Sequence, residues 1–379
     1  MNRKELNEIR RRFNIEKNNL TCIRGCYVNE KRDIVSMFNR PLMSFPQEEA
    51  EKYLAFFRRV FSGIPGKNLL TLTFDAGQVM EGEEHKLLSG LRNTGLKVEE
   101  GVQAFYQRVI DSLELEGNYL ILMAHDAYDL PFRSHDENKA DEESEEMFTY
   151  ITCCVCPVKL TKPALSYFAE DNDFHDREPN WVVGSPELGF MFPAFDDRAA
   201  NLSAALYYTR DASDVHGSFI DAVFGTERPV PADSRKEAFQ SVLEDALGED
   251  LDMDVVQTVH EQLRTMIEDK KSDKEAEAPT VTKREVKDML TSCGVSEEHM
   301  AAFDERFDEK FGSTGELGAQ AIVDEKKFEV RTPNVVIHVD PEHTDLLKTR
   351  VIDGRKYIMI AADDGVMVNG LNISIAGEE

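Results

Sequence analysis

Residues 118–124, Asn-Tyr-Leu-Ile-Leu-Met-Ala, form an unbroken apolar strand-like run, and Phe148 to Leu160 form a second one, with no helical periodicity between them. Strands that follow one another without a helix cannot build a doubly wound parallel sheet, because each parallel crossover needs a helix-length connection. Further strand patterns at 164–169, 180–184, 188–194 and 203–209 extend the series. The sheet is therefore expected to be antiparallel and the fold class α+β.

Helices flank this series. Residues 2–13 read as a short basic helix. Between strand-like segments at Leu20–Val28 and Leu69–Phe74, residues 46–61 place Ala50, Tyr53, Leu54, Phe57, Val60 and Phe61 on one face at 3.6-residue spacing. Ser44 with Gln47 resembles a capping box there. Two more helices are expected at about 83–92 and 98–113, and others after residue 213 at about 234–247 and 253–269. Ser272 to Thr280 is charged and lacks large apolar residues, so it reads as a linker. Beyond it come a helix pair and the hairpin signals Asp353-Gly354 and Asn369-Gly370. The helix pair is too short to bury its own apolar faces, and the β-rich tail 327–375 is its expected cover. These signals divide the chain into a 1–271 α+β body with a helical extension (213–271), a 272–280 linker, and a 281–379 module of a helix pair and β-hairpins.

Acids outnumber bases 72 to 44, a net charge of −28. Phosphate backbones and anionic membranes are met by dense Lys and Arg, so no nucleic-acid or membrane partner is expected. The longest hydrophobic runs, such as Tyr119–Ala124, are about six residues, far short of a membrane span. The charge is uneven. Residues 1–40 hold ten bases against five acids, residues 136–146 seven acids against one base, and residues 241–316 twenty-one acids against nine bases. The acidic segments are solvated faces or docking surfaces for a basic partner, the chain's own N-terminus in a self-assembly included. No secretory h-region opens the chain, and six cysteines at 22, 26, 153, 154, 156 and 293 do not form a disulfide framework, so a cytoplasmic location is expected.

Two constellations could carry chemistry. His125, Asp126 and Asp129 end the first apolar strand. His175, Asp176, Asp196, Asp197 and Arg198 lie at other strand ends. Imidazole with carboxylates suits a divalent metal or general acid/base work, and the competing reading is turn-capping hydrogen bonds. The segment from Asp171 is not an EF-hand, since Asp176 and Val182 stand where Gly and Glu are required. The second set is Cys22 and Cys26 with Cys153 and Cys156, whose C-x2-C spacing admits zinc if the hairpins converge; buried core thiols are the alternative. No cofactor is expected, a divalent metal or zinc at these two sets being the exception to test. Ser62-Gly63-Ile64-Pro65-Gly66-Lys67-Asn68 is no phosphate loop, because the spacing and the helix-to-strand order are wrong. Trp181 reads as core with Phe190, Phe192 and Phe195.

Several stretches together resemble one known family: Lys4-Glu5-Leu6-Asn7-Glu8-Ile9, Cys26-Tyr27-Val28, Gly66-Lys67-Asn68-Leu69-Leu70, Gly117 through Asp129, Phe192 through Arg198, Leu206-Tyr207-Tyr208-Thr209 and Ile352-Asp353-Gly354-Arg355. The chain resembles, over nearly its whole length, an uncharacterised domain-of-unknown-function family of cytosolic proteins from clostridia-like Gram-positive anaerobes. The resemblance implies a bacterial, cytoplasmic protein and carries no activity, cofactor or catalytic residue. With no specific catalytic signature, the leading expectation is a non-enzymatic protein acting through protein–protein contact or self-association. The competing expectation is a metal-dependent hydrolase built on the His/Asp set.

Overall fold

The structure, a computed structural model, describes residues 1–130, 147–272, 279–312, 315–363 and 365–374. The acidic stretch 133–146 and most of the 272–280 linker lie outside the described residues. The chain forms two compact units, one spanning Met1–Ser234 and the other Arg235–Ser272 with Pro279–Glu379.

In the first unit, helix α1 (Arg3–Arg12) precedes the hairpin of β1 (Cys22–Val28) and β2 (Ile34–Pro41). Helix α2 (Gln47–Val60) leads into β3 (Leu69–Thr73), and α3 (Ala76–Glu81), α4 (Glu83–Asn93) and α5 (Glu99–Ser112) follow. The long strands β4 (Asn118–Asp129) and β5 (Met147–Leu160) come next. After them run β6 (Ala164–Phe168), β7 (Asp173–Arg177), β8 (Trp181–Val183), β9 (Leu188–Phe192), β10 (Ala194–Asp196), β11 (Ala199–Asn201) and β12 (Ala204–Thr209), closed by α6 (Gly217–Val223). The main sheet has eight strands in the order β2-β1-β4-β5-β9-β12-β3, with β8 beside β5, and its pairs are antiparallel. The α+β expectation and the antiparallel sheet with flanking helices are what the chain adopts.

The unbroken apolar runs have a direct cause: the sheet is covered on both faces. Tyr119, Ile121 and Met123 of β4, with Cys153 and Val155 of β5, pack under α4, α5 and α6. The alternate residues Leu120, Leu122, Ala124, Cys154 and Cys156 pack under α1 and α2. Period-2 alternation sends neighbours to opposite faces, so a strand buried on both needs apolar residues at every position. Helix α2 carries the expected stripe, but Pro46 takes its N-cap without a side-chain bond. The Ser44 hydroxyl instead donates to the Pro41 carbonyl at 2.7 Å, so the capping box read at Ser44–Gln47 does not form.

The second unit begins within α7 (Ala232–Leu247) and continues through α8 (Met253–Ser272), β13 (Thr280–Thr282), α9 (Lys283–Ser292) and α10 (Glu297–Phe311). Then come β14 (Glu316–Gly318), α11 (Ala319–Ile322) and three hairpins: β15 (Phe328–Arg331) with β16 (Val336–Val339), β17 (Leu347–Ile352) with β18 (Arg355–Ile360), and β19 (Val366–Val368) with β20 (Leu371–Ile373). Asp353-Gly354 and Asn369-Gly370 turn the last two with positive φ at both residues, as two-residue hairpins of matching twist require. The helix pair α9–α10 is covered by α7 and α8, not by the tail. Val255, Val259, Leu263 and Ile267 of α8 share one core with Val286, Met289, Leu290, Phe303 and Phe307. Five turns of α8 offer a longer apolar stripe than the three- to six-residue strands of the tail, so the helices win. By internal contacts the two units part at Ser234, within the first turn of α7.

Gly189 sits where α2 comes nearest to β9. A Cβ there would lie 2.5 Å from the Val60 Cγ2 and 2.6 Å from the Cys153 carbonyl oxygen, and a backbone atom cannot step aside. We expect Gly189→Ala to destabilise the first unit by about 1–3 kcal/mol, the usual cost of overpacking. Gly90→Ala, on the exposed side of α4 with nothing within 4 Å of its Cβ, is expected to gain about 0.5–1 kcal/mol of helix propensity. Urea denaturation followed by far-ultraviolet circular dichroism checks both, and equal effects would refute the packing argument.

Candidate functional site

His125 and Asp126 are neighbours on β4 and therefore point to opposite faces. His125 reaches the α4–α5 side, where its Nδ1 lies 3.7 Å from the position a Cβ would take at Gly95. Burial there, against the nearby Asp126 and with Arg92 and Lys97 adding to it, lowers the imidazole pKa, so His125 is neutral at pH 7. Asp126 lies on the α1 side and is 1% exposed. Arg12 donates Nε to Oδ2 at 2.6 Å and Nη2 to Oδ1 at 3.0 Å. The Tyr150 hydroxyl donates to Oδ2 at 2.8 Å, and the Asn19 backbone N–H to Oδ1 at 3.1 Å. Burial tends to lower the Arg12 pKa, but its bonds to Asp126 outweigh this and hold it above the usual value. Burial, then the Asp126 charge, push the Tyr150 hydroxyl well above its range, so it stays a donor. A carboxylate that accepts four donors has no lone pair left for a metal or for taking a proton.

The remaining carboxylates on this side hold α1 as well. The Arg12 guanidinium lies 4.3 Å over the Tyr128 ring, and the Tyr128 hydroxyl donates to Glu8. Arg198 reaches both Glu8 oxygens at 3.0 and 3.2 Å, and its backbone N–H donates to Glu5 at 3.1 Å. Glu5 also closes the capping box with Asn2 at the start of α1. Asp197 and Arg198 adopt positive φ in the turn between β10 and β11. Asp196 accepts from the Met1 amino group at 3.0 Å, which with Asn201 lowers its pKa despite partial burial. The basic N-terminal helix thus docks on its own sheet.

His175 and Asp176 stand elsewhere, exposed on β7, whose only partner strand among the described residues is β6. Asp129 is exposed at the end of β4. The eight His/Asp/Arg candidates therefore do not converge, and the reading of a shared metal-hydrolase centre does not fit this geometry. The cysteines do not converge either. Cys26 and Cys153 face the α4–α5 core, while Cys156 faces the α1–α2 core and Cys22 is only half-buried. The C-x2-C spacing on one straight strand puts its two thiols on opposite faces, which rules out their sharing one zinc ion. Burial pushes the Cys26 thiol up to about 11 and that of Cys153 well above its usual value, as for inert core thiols. Among the described residues, no three His, Cys, Asp or Glu side chains are placed to hold a metal ion.

What the sequence reading missed is the arm that follows β5. From Lys159 to Ser185 no residue is buried. Among the described residues, strands β6 and β7 pair only with each other, tied at the base by Thr161 N–H to the Asn180 carbonyl at 2.9 Å and Asn180 N–H to the Thr161 hydroxyl at 2.9 Å. Their register sets Tyr167 opposite Phe174 and Leu165 opposite Asp176. Leu165, Tyr167 and Phe174 therefore share one face and are 72%, 52% and 60% exposed. Trp181, expected in the core with Phe190, Phe192 and Phe195, is instead 56% exposed on β8 at the base of the arm, whereas the three phenylalanines are fully buried. The available signal was the alternation Leu165-Ser166-Tyr167 with Asn172 in the turn; the acidic string Asp171–Asp176 obscured it.

The chain belongs to the family described as a domain of unknown function (DUF4317), which matches residues 1–371. No curated protein and no solved structure matches the chain.

Arg12→Met strands a buried carboxylate and is expected to cost about 3–5 kcal/mol in urea denaturation. Adding Asp126→Asn should recover part of that loss, and strict additivity of the two would mean the pair is uncoupled. His125 has its folded pKa below the unfolded value of about 6.5. The unfolded chain therefore binds the proton first, and stability is lost as pH falls below about 6.5 until it passes the folded value. His125→Gln should flatten this part of the pH–stability curve; an unchanged slope would exclude His125 as its source.

Proposed function

We propose that this protein works by protein–protein contact, with the β6–β7 arm as the contact and a second copy of the chain as its partner. One observation carries the reading: a two-stranded arm that presents Leu165, Tyr167 and Phe174 on one face and has no buried residue of its own. An isolated two-stranded hairpin is at best marginally stable in water. A soluble protein rarely leaves contiguous large aromatics uncovered without using them. One consideration favours a second copy: an apolar face can pair with the same face of its own copy across a two-fold axis. The six unpaired cysteines fit a reducing compartment, and together with the resemblance of the sequence they support a bacterial cytoplasm as the setting. No helix among the described residues is long and apolar enough to cross a membrane.

Light scattering during size exclusion, over a range of concentrations at physiological salt, tests this. The expected mass is twice the 43.0 kDa of one chain, falling to one chain in Leu165→Ser/Phe174→Ser with unchanged circular dichroism. The single tryptophan gives an independent readout, since Trp181 emission should shift to the red on dilution. A strict monomer at the highest concentration overturns the self-association reading. A dimer that survives the double substitution removes the arm from it.

A further inference from the structure

The first unit of this acidic chain contains a cleft whose charge runs the other way. Phe13, just past α1, packs against Phe57 and Phe61 with ring centroids 5.9 and 5.1 Å apart, and so draws the C-terminal ends of α1 and α2 together. The cleft between these ends has a volume of about 470 Å³. Arg10, Arg11, Lys17 and Arg58 line it, with Asn14 and Ser62. Of the three consecutive arginines, Arg12 turns inward to Asp126, while Arg10 is half-buried and Arg11 exposed. None of the four cations of the cleft has an ion pair or side-chain hydrogen bond among the described residues. A second cleft of about 480 Å³ adjoins it and shares Arg11 and Lys17.

Cations in the last turn of a helix commonly answer the carbonyl ends of that helix. Each end, however, carries only roughly half an electronic charge. Two helix ends thus account for about one of four positive charges, and an excess of about three remains. Acids outnumber bases 72 to 44 over the chain, yet among the described residues no carboxylate pairs with this cluster. Like charges held together without counter-ions raise the energy of the folded state, and an anion of matching charge relieves it. Arginine adds geometry, because its planar fork meets two phosphate oxygens at once. The volume lies in the range of small-ligand sites and is too restricted for a folded partner.

We propose that the cleft formed by Arg10, Arg11, Lys17 and Arg58 binds a small polyanion bearing two or more linked phosphate groups. The arginines of α1 and α2 grip the phosphates from two sides, and Phe13 underneath keeps the two helix ends at fixed separation.

The test uses the whole chain and inorganic tripolyphosphate as the probe, read by isothermal titration calorimetry and by thermal unfolding at physiological salt. The expected result is saturable binding of one tripolyphosphate per chain with a raised melting temperature, and much weaker binding of monophosphate. Arg11→Ala/Arg58→Ala should weaken binding at least tenfold while leaving circular dichroism unchanged. Arg59→Ala, next to the cleft but not lining it, should bind as the parent does. No heat and no melting shift at millimolar tripolyphosphate would overturn the proposal, and so would equal binding by the double variant. A single-stranded oligonucleotide that binds and is not displaced by tripolyphosphate would overturn the small-ligand assignment. None of these readouts depends on whether the arm self-associates.

Discussion

A carboxylate sealed inside an apolar sheet has to be matched, and the way Asp126 is matched organises the first unit. Arg12 satisfies it from α1, Tyr150 from the neighbouring strand and Asn19 from the loop after α1. Buried ion pairs add little net stability over an apolar packing of the same volume, since desolvation offsets most of the attraction. What such a pair does strongly is orient, because every misplaced arrangement strands a buried charge. α1 therefore has one rotational setting on the sheet. Leu6, Ile9 and Phe13 face the core in that setting, and Arg10 and Arg11 are left facing outward.

The same setting explains why residues of catalytic type cluster near α1 without forming a catalytic site. Glu5, Glu8, Tyr128, Asp196 and Arg198 are engaged with one another or with the ends of α1. Each has a partner at hydrogen-bonding distance, and the cluster is a clasp. Two surfaces of the first unit stand apart from this clasp. One is the apolar face of the β6–β7 arm, and the other is the cationic cleft beyond Phe13.

Much of the architecture could be read from residue patterns. The continuous runs at 118–124 and 148–160, with no helical period between them, implied an antiparallel sheet, and the stripe at 50–61 implied a covering helix. Asp353-Gly354 and Asn369-Gly370 announced their hairpins through the backbone conformation those pairs prefer. The candidate site was far less legible. His125-Asp126 and Cys153 to Cys156 looked like ligand sets because they are close in sequence. On a strand, adjacent residues and residues three apart point to opposite faces, so that closeness separates them in space. Trp181 reads as core in company with Phe190, Phe192 and Phe195, and its exposure follows from the arm, whose alternation marks a hairpin without showing that it stands off the sheet.

The sequence by itself determined the elements, because periodicity, caps and turn residues act within a few residues and need no distant partner. It also determined the charge: a strongly acidic chain with a basic opening segment. Only the tertiary structure decided which charges cancel. The distance between Arg12 and Asp126 in sequence is irrelevant to their meeting, which depends on α1 lying across β4. Tertiary packing likewise paired α9 and α10 with α7 and α8 and not with the tail, because the longer apolar stripe buries more surface. It left Leu165, Tyr167 and Phe174 uncovered for the same kind of reason, since β6 and β7 pair with each other beyond the reach of either helical layer. Burial and pairing are properties of the whole arrangement, and no local stretch of sequence specifies either.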